Sequence, residues 1–118
     1  MMVLVDARNG FNELGRLAML WTIRHTWPDG SRFAFNCYRH EAQLVLRGAT
    51  AADAVTILSK EGVTQGDPLS MVLYGLALAP LSKVLREMEP GVLQPWYADD
   101  LALLGPAEGG GTSAALRE

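Results

Sequence analysis

The sequence has one cysteine, Cys37, and two histidines among 118 residues. A single thiol excludes an internal disulfide and a zinc site built on thiolates, and it is consistent with a reducing compartment. Basic residues are also scarce: ten Lys and Arg against thirteen Asp and Glu give a net charge of −3. A domain that binds nucleic acid unaided is usually strongly basic, with a pI above about 9. Any phosphate contacts made by this chain therefore draw their cations from elsewhere. Long hydrophobic runs are missing too. The longest, residues 71–81, is too short to span a bilayer and contains Pro80. The first residues lack the basic region and apolar core of a signal peptide, so the expectation is an intracellular protein of unspecified compartment with no membrane segment. No internal repeat is visible. What is present is 49% hydrophobic and 19% charged, which suits one folded domain rather than a disordered chain.

Residues 2–5 (MVLV) read as a buried strand ending in Asp6. Leu14, Leu17, Ala18 and Trp21 recur at helical spacing from Asn12 to about Thr26. Pro28 and Gly30 should stop that helix. A second helix is expected from a Ser31 cap to about Leu46, ended by Gly48, although Phe33 and Phe35 also alternate as in a strand. Residues 54–59 (AVTILS) are β-branched and read as a strand. Asp67 followed by Pro68 predicts a helix start, an acceptor at the cap and then a residue fixed near helical φ. Leu69, Val72, Leu73 and Leu76, then Leu81, Val84 and Leu85, give that helix its apolar side, and Pro80 should kink or divide it. After a turn at Pro90-Gly91, VLQPWY and LALLG read as the arms of a hairpin with Ala98, Asp99 and Asp100 at its tip. Residues 105–118, rich in glycine and small side chains, read as a flexible tail.

Two strand ends thus carry carboxylates: Asp6 closes the first strand, and Asp99 and Asp100 cap the hairpin. An Asp-Asp pair alone reads as a solvated turn. Neighbouring strands, however, lie about 4.8 Å apart, close enough for Asp6 and Asp99 to share a metal ion. Without a cation, two carboxylates about 4 Å apart repel by roughly 4 kcal/mol at an effective dielectric of 20. One of them would have to take up a proton. A hard divalent cation removes the conflict, and an all-oxygen donor set suits Mg²⁺ or Mn²⁺. Two such ions can hold an attacking hydroxyl and a leaving phosphate oxygen in line, which is the chemistry of nucleotidyl transfer.

Tyr97-Ala98-Asp99-Asp100 between apolar strands resembles the YxDD motif of reverse transcriptases. Gln65-Gly66-Asp67-Pro68-Leu69-Ser70 resembles the QGxPLS turn that opens a palm helix in the same family. Residues 6–12 (DARNGFN) are similar to the family's first signature, an Asp after an apolar strand with an aromatic five residues on. The three follow the family's order and cover about residues 3–104, and the pattern looks closest to non-LTR retroelement and group II intron enzymes. The resemblance implies an α+β fold, a palm-type (split βαβ-like) antiparallel sheet with helices on one face. It implies a palm core over residues 1–104 and an RNA-directed DNA polymerase that extends a DNA primer on an RNA template with dNTPs. It implies two Mg²⁺ ions, Mn²⁺ being an alternative, held chiefly by Asp6 and Asp99, with Asp100 as third acidic member. Phe11 matches the sugar gate against a 2′-hydroxyl. Gln65 and Gly66 would meet the incoming nucleotide, and Tyr97 and Ala98 would lie near the primer end.

Each residue also has a plainer role. Phe11 suits a core aromatic, Gln65 an exposed turn, Asp67 a helix cap, and Asn12 a loop tie. His25 and His40 read as ordinary helix-surface or half-buried side chains, and Trp21, Trp27, Tyr38 and Trp96 as packing. Gly10 stands where the family commonly has alanine. The family's fingers and thumb, which supply cations to the triphosphate and grip the primer, are not in the sequence. This expectation makes the chain a truncated palm, matches the charge of −3, and predicts little or no activity for these 118 residues alone. Its uncovered apolar faces would favour aggregation. Two other readings compete: an RNA-dependent RNA polymerase palm, whose hairpin usually reads GDD with a second acid where Phe11 stands, and a non-catalytic retroelement remnant or scaffold.

Overall fold

The computed structural model describes residues 1–106. Alternation decides how the chain begins: Met2–Asp6 form strand β1, with Val3 and Val5 turned inward and Met2, Leu4 and Asp6 exposed. The buried strand expected from the apolar run is therefore covered on one face only. A single turn, α1 (Gly10–Glu13), precedes α2 (Arg16–Thr26), and the break at Leu14-Gly15 divides what the periodicity presents as one helix. Helix α3 (Pro28–Tyr38) starts three residues before the expected Ser31 cap, because Pro28 occupies the first helical position, where a missing N–H costs nothing. The Ser31 hydroxyl instead donates back to the Pro28 carbonyl at 2.6 Å.

The second half of the expected helix is a strand. Ala42–Leu46 form β2, and Val55–Ser59 form β3 as expected, the two pairing antiparallel with Leu44 opposite Ile57. A Thr50–Asp53 capping box organises a short 3-10 turn between them. Helix α4 (Ser70–Met88) is not divided at Pro80, which lies on its exposed side. Only part of its expected apolar side is covered: Leu73 is fully buried, Leu69, Leu76 and Leu85 are partly buried, and Val72, Leu81 and Val84 are exposed. Strands β4 (Trp96–Tyr97) and β5 (Asp100–Leu104) complete the hairpin.

The fold is mixed α+β, with four helices and two small antiparallel sheets, β1-β5-β4 and β2-β3, among the described residues. Two cores hold it together. Met19, Ile23, Ala34, Tyr38, Val63, Leu73 and Tyr74 join the helices, and Val92, Leu101 and Leu103 seal the inner face of the first sheet with Val3, Val5, Leu85 and Trp96. Tyr38 and Trp96 pack as expected, and Trp27 is half-buried against the first core. Trp21 does not pack into either core: it is 65% exposed, and its ring lies tilted against His25 with ring centres 4.1 Å apart. The β1–β5 ladder runs on to Gly105, whose N–H donates to the Met1 carbonyl. The rest of the expected tail, residues 107–118, lies outside the described residues. Among the described residues no helix is long and apolar enough to cross a membrane.

Candidate acidic site at the hairpin

The register of β1 and β5 places Asp6 directly opposite Asp100. Cross-strand partners in an antiparallel pair project to the same face. Tyr97 is opposite Asp100 on the other side, so Asp6, Asp100 and Tyr97 share the open face of the sheet, away from the second core. A groove of about 500 Å³ runs over that face, lined by Leu4, Asp6, Pro95, Tyr97, Asp100 and Ala102. Tyr97 is 78% exposed.

The hairpin tip is tighter than the sequence suggests. Only Ala98 and Asp99 lie outside the strands, and Asp100 already belongs to β5. Ala98 adopts the left-handed conformation, φ 55°, which a two-residue hairpin turn of the primed class requires and which usually selects glycine. This turn length decides which acid meets Asp6. The residue directly opposite Asp6 is Asp100, and Asp99, the expected partner of Asp6 in holding a metal, is its neighbour in the turn, its carbonyl accepting from the Ala7 N–H at 3.2 Å.

Asp99 belongs to a second group of residues. A methyl on Gly10 would overlap the Tyr74 hydroxyl and stand 3.1 Å from the Asp99 Cβ. Gly10, Tyr74 and Asp99 therefore crowd one point at the end of the sheet. Phe11 stacks on Tyr74, with ring centres 4.6 Å apart and planes 18° from parallel. Burial raises the Tyr74 phenol above its usual 10.0, and the negative charge of Asp99 raises it further. Phe11 is thus half-buried and held against the Tyr74 ring at the edge of the first core, in keeping with its plainer packing role.

The Gln65-Gly66 turn is tied to this group through the backbone. The Val63 N–H donates to the Phe11 carbonyl at 2.7 Å, and the Gly62 N–H to the Leu14 carbonyl at 2.8 Å. Gly62 has φ +75° and lies against the backbone of Phe11 and Asn12, so any side chain there would collide. Gln65 is exposed, and Gly66 has φ +87° with open space where a side chain would be. Asp67 does act at the helix start: its carboxylate accepts from the Leu69 N–H at 2.9 Å, although the helix proper begins at Ser70. Asn12 ties the loop, donating to the Asn9 side chain at 2.6 Å.

The polar side chains lining the groove, Asp6, Tyr97 and Asp100, offer oxygen atoms only. The ion pairs among the described residues, Lys60–Glu41 and Lys83–Glu87, involve neither aspartate nor Asp99. Two carboxylates opposed without a cation fit a hard divalent ion. No group of three or more His, Cys, Asp and Glu side chains converges among the described residues. Asp6 and Asp100 are therefore opposed across the strands, and Asp99 lies next to them in the turn, on the Tyr74 side.

Two residues of consequence escape the motifs. Tyr74 lies in a leucine-rich helix and gives no local signal beyond an aromatic at a core position. Arg16 is buried at 7% exposure. Its guanidinium donates to the Gly62 carbonyl at 2.8 Å and to the Ser59 carbonyl and hydroxyl at 2.9 Å each, and lies 5.5 Å from the Tyr38 ring centre. It fastens the β2–β3 hairpin and the Gly62 loop to α2. Comparison with protein-family models finds none that matches the chain, and comparison with curated proteins finds no match.

Proposed function

We propose that this chain is the palm of an RNA-directed DNA polymerase of the kind found in non-LTR retroelements and group II introns. The observation that carries the reading is the opposition of Asp6 and Asp100 on an open sheet face, with Asp99 in the adjoining two-residue turn. The other two signatures lie around the same end of the sheet: Phe11 follows Asp6, and the loop leading to Gln65 is bonded to the Phe11 carbonyl. Such closeness of three segments far apart in sequence is what a polymerase palm needs and what a solvated Asp-Asp turn does not.

In this reading Asp6, Asp99 and Asp100 are the groups that hold divalent cations, Mg²⁺ or Mn²⁺. When bound, those ions supply Lewis-acid activation of a primer hydroxyl and neutralise charge on the triphosphate. The chain's own residues do the positioning. Phe11, with its ring braced by Tyr74, bars a 2′-hydroxyl. Gln65 and Gly66 line the incoming dNTP, the bare Gly66 backbone leaving room for it. Tyr97, on the open face, and Ala98, next to it in the turn, flank the primer end. Fingers and thumb segments contribute the cations that a chain of charge −3 lacks.

Primer extension tests this with the chain joined to fingers and thumb segments, an RNA template, a DNA primer, dNTPs and Mg²⁺. Asp99→Asn removes nearly all extension, and Phe11→Ala admits ribonucleotides. Near-normal extension by the Asp99→Asn protein sinks the site assignment, and unchanged sugar discrimination by Phe11→Ala returns Phe11 to packing alone.

A further inference from the structure

Among the described residues the β2–β3 hairpin is a sheet of two strands, so each strand keeps one edge without a partner. Leu44, Val45, Leu46, Val55, Ile57 and Leu58 are all between 45% and 60% exposed. Neither strand contains a charge, a proline or a bulge, the usual means of blocking an open edge. An isolated two-stranded ribbon is marginal in water, and a third or fourth strand is the usual remedy.

The charges flanking the strands select which edge pairs and with what. Consider two copies of β2 antiparallel about a two-fold axis through Leu44. All five strand residues then pair: Ala42 opposite Leu46, Gln43 opposite Val45, and Leu44 opposite its own counterpart. The same register sets Glu41 opposite Arg47 of the partner subunit, twice over by symmetry. Arg47 makes no ion pair among the described residues, and Glu41 makes only an exposed one to Lys60 at 3.6 Å. Self-pairing of β3 about Ile57 is the opposite case. Full overlap there sets Asp53 opposite Glu61 of the partner subunit, acid against acid, which is unfavourable.

We propose that this chain self-associates through β2, forming a four-stranded sheet of order β3-β2-β2-β3. Leu44, Leu46, Val55 and Ile57 share one face of the ribbon by register, so the assembly joins two apolar faces into one. The two-fold pairing uses up both β2 edges and closes, which gives a dimer rather than a fibre. Five paired residues a side fall well short of a standard interface, so the dimer is weak and concentration-dependent. The proposal stands apart from the polymerase reading and survives its failure.

Sedimentation equilibrium of the full chain over a wide concentration range tests it. The expected result is a monomer–dimer equilibrium. Arg47→Glu alone and Glu41→Arg alone each raise the dissociation constant at least roughly tenfold, since each turns two cross-strand attractions into two repulsions. An equimolar mixture of the two variants recovers the dimer, because one chain then carries acids at both flanking positions and the other carries bases at both. Cross-linking is an independent check in a Cys37→Ser background: Leu44→Cys oxidises to a covalent dimer, and Thr56→Cys on β3 does not. A monomer at every concentration, an open-ended series of oligomers, a mixture that stays monomeric, or equal cross-linking at both positions would each overturn the proposal.

Discussion

Replacing Gly10 with alanine tests the crowding at the end of the sheet. Gly10 has no positive φ, so alanine is conformationally allowed there. Removing glycine freedom from the unfolded chain should stabilise the fold by about 0.4–1 kcal/mol. Against this, the new methyl overlaps the Tyr74 hydroxyl and comes within 3.1 Å of the Asp99 Cβ and 3.2 Å of the Tyr74 Cζ. Overpacking of that kind costs about 1–3 kcal/mol. The overlap wins, and Gly10→Ala should lower stability by about 1 kcal/mol. The hydroxyl makes the worst of the three contacts, so Tyr74→Phe should remove most of the penalty. In the Tyr74→Phe background, Gly10→Ala should be close to neutral, a coupling energy of about 1 kcal/mol. Urea unfolding of the four proteins of the cycle, followed by circular dichroism, measures it. Additive effects, with a coupling below about 0.3 kcal/mol, refute the placement of the Tyr74 hydroxyl over Gly10.

Ala98→Gly should stabilise the hairpin by several tenths of a kcal/mol up to about 1, because left-handed φ costs an alanine about 1–2 kcal/mol and glycine returns part of that as unfolded-state entropy; a lower melting temperature contradicts it. Arg16→Ala should cost about 3 kcal/mol, since it removes a buried charged donor and leaves the Ser59 and Gly62 carbonyls unpaired, and hydrogen exchange should show the β2–β3 hairpin opening first; a change under about 1 kcal/mol contradicts it. The raised Tyr74 phenol means that the folded chain holds its proton more tightly than the unfolded chain. That contribution is whole below pH 10.0, the ordinary value, and is lost as pH rises through the higher folded value. Stability should therefore fall above pH 10.0, and Tyr74→Phe should flatten the fall; identical alkaline profiles contradict it.

The parts of the fold legible in the sequence are those fixed by local chemistry. Asp67-Pro68 marks a helix start because both residues act within two positions of themselves. The hairpin around Asp99 is legible because two apolar arms flank a short acidic tip. Residues 42–46 are misread as helix because Ala, Gln and Leu are good helix formers and no turn residue precedes them. Only pairing with Val55–Ser59 makes them a strand. Arg16 could not be found because its partners are backbone groups 43 and 46 residues away. The identity of the acid opposite Asp6 turns on a single residue of turn length. Asp99 and Asp100 are both visible as candidates, but register alone decides between them, and a shift of one residue moves a side chain to the other face.

The opposed carboxylates Asp6 and Asp100 are proposed as a divalent-cation site. Manganese titration followed by electron paramagnetic resonance reads it directly on the full chain and on Asp6→Asn and Asp100→Asn. The account predicts saturable Mn²⁺ binding that Mg²⁺ displaces and that both substitutions weaken, while each substitution stabilises the metal-free fold by a few tenths of a kcal/mol to about 1 by ending the cross-strand repulsion. Mn²⁺ binding of equal strength in all three proteins would contradict it.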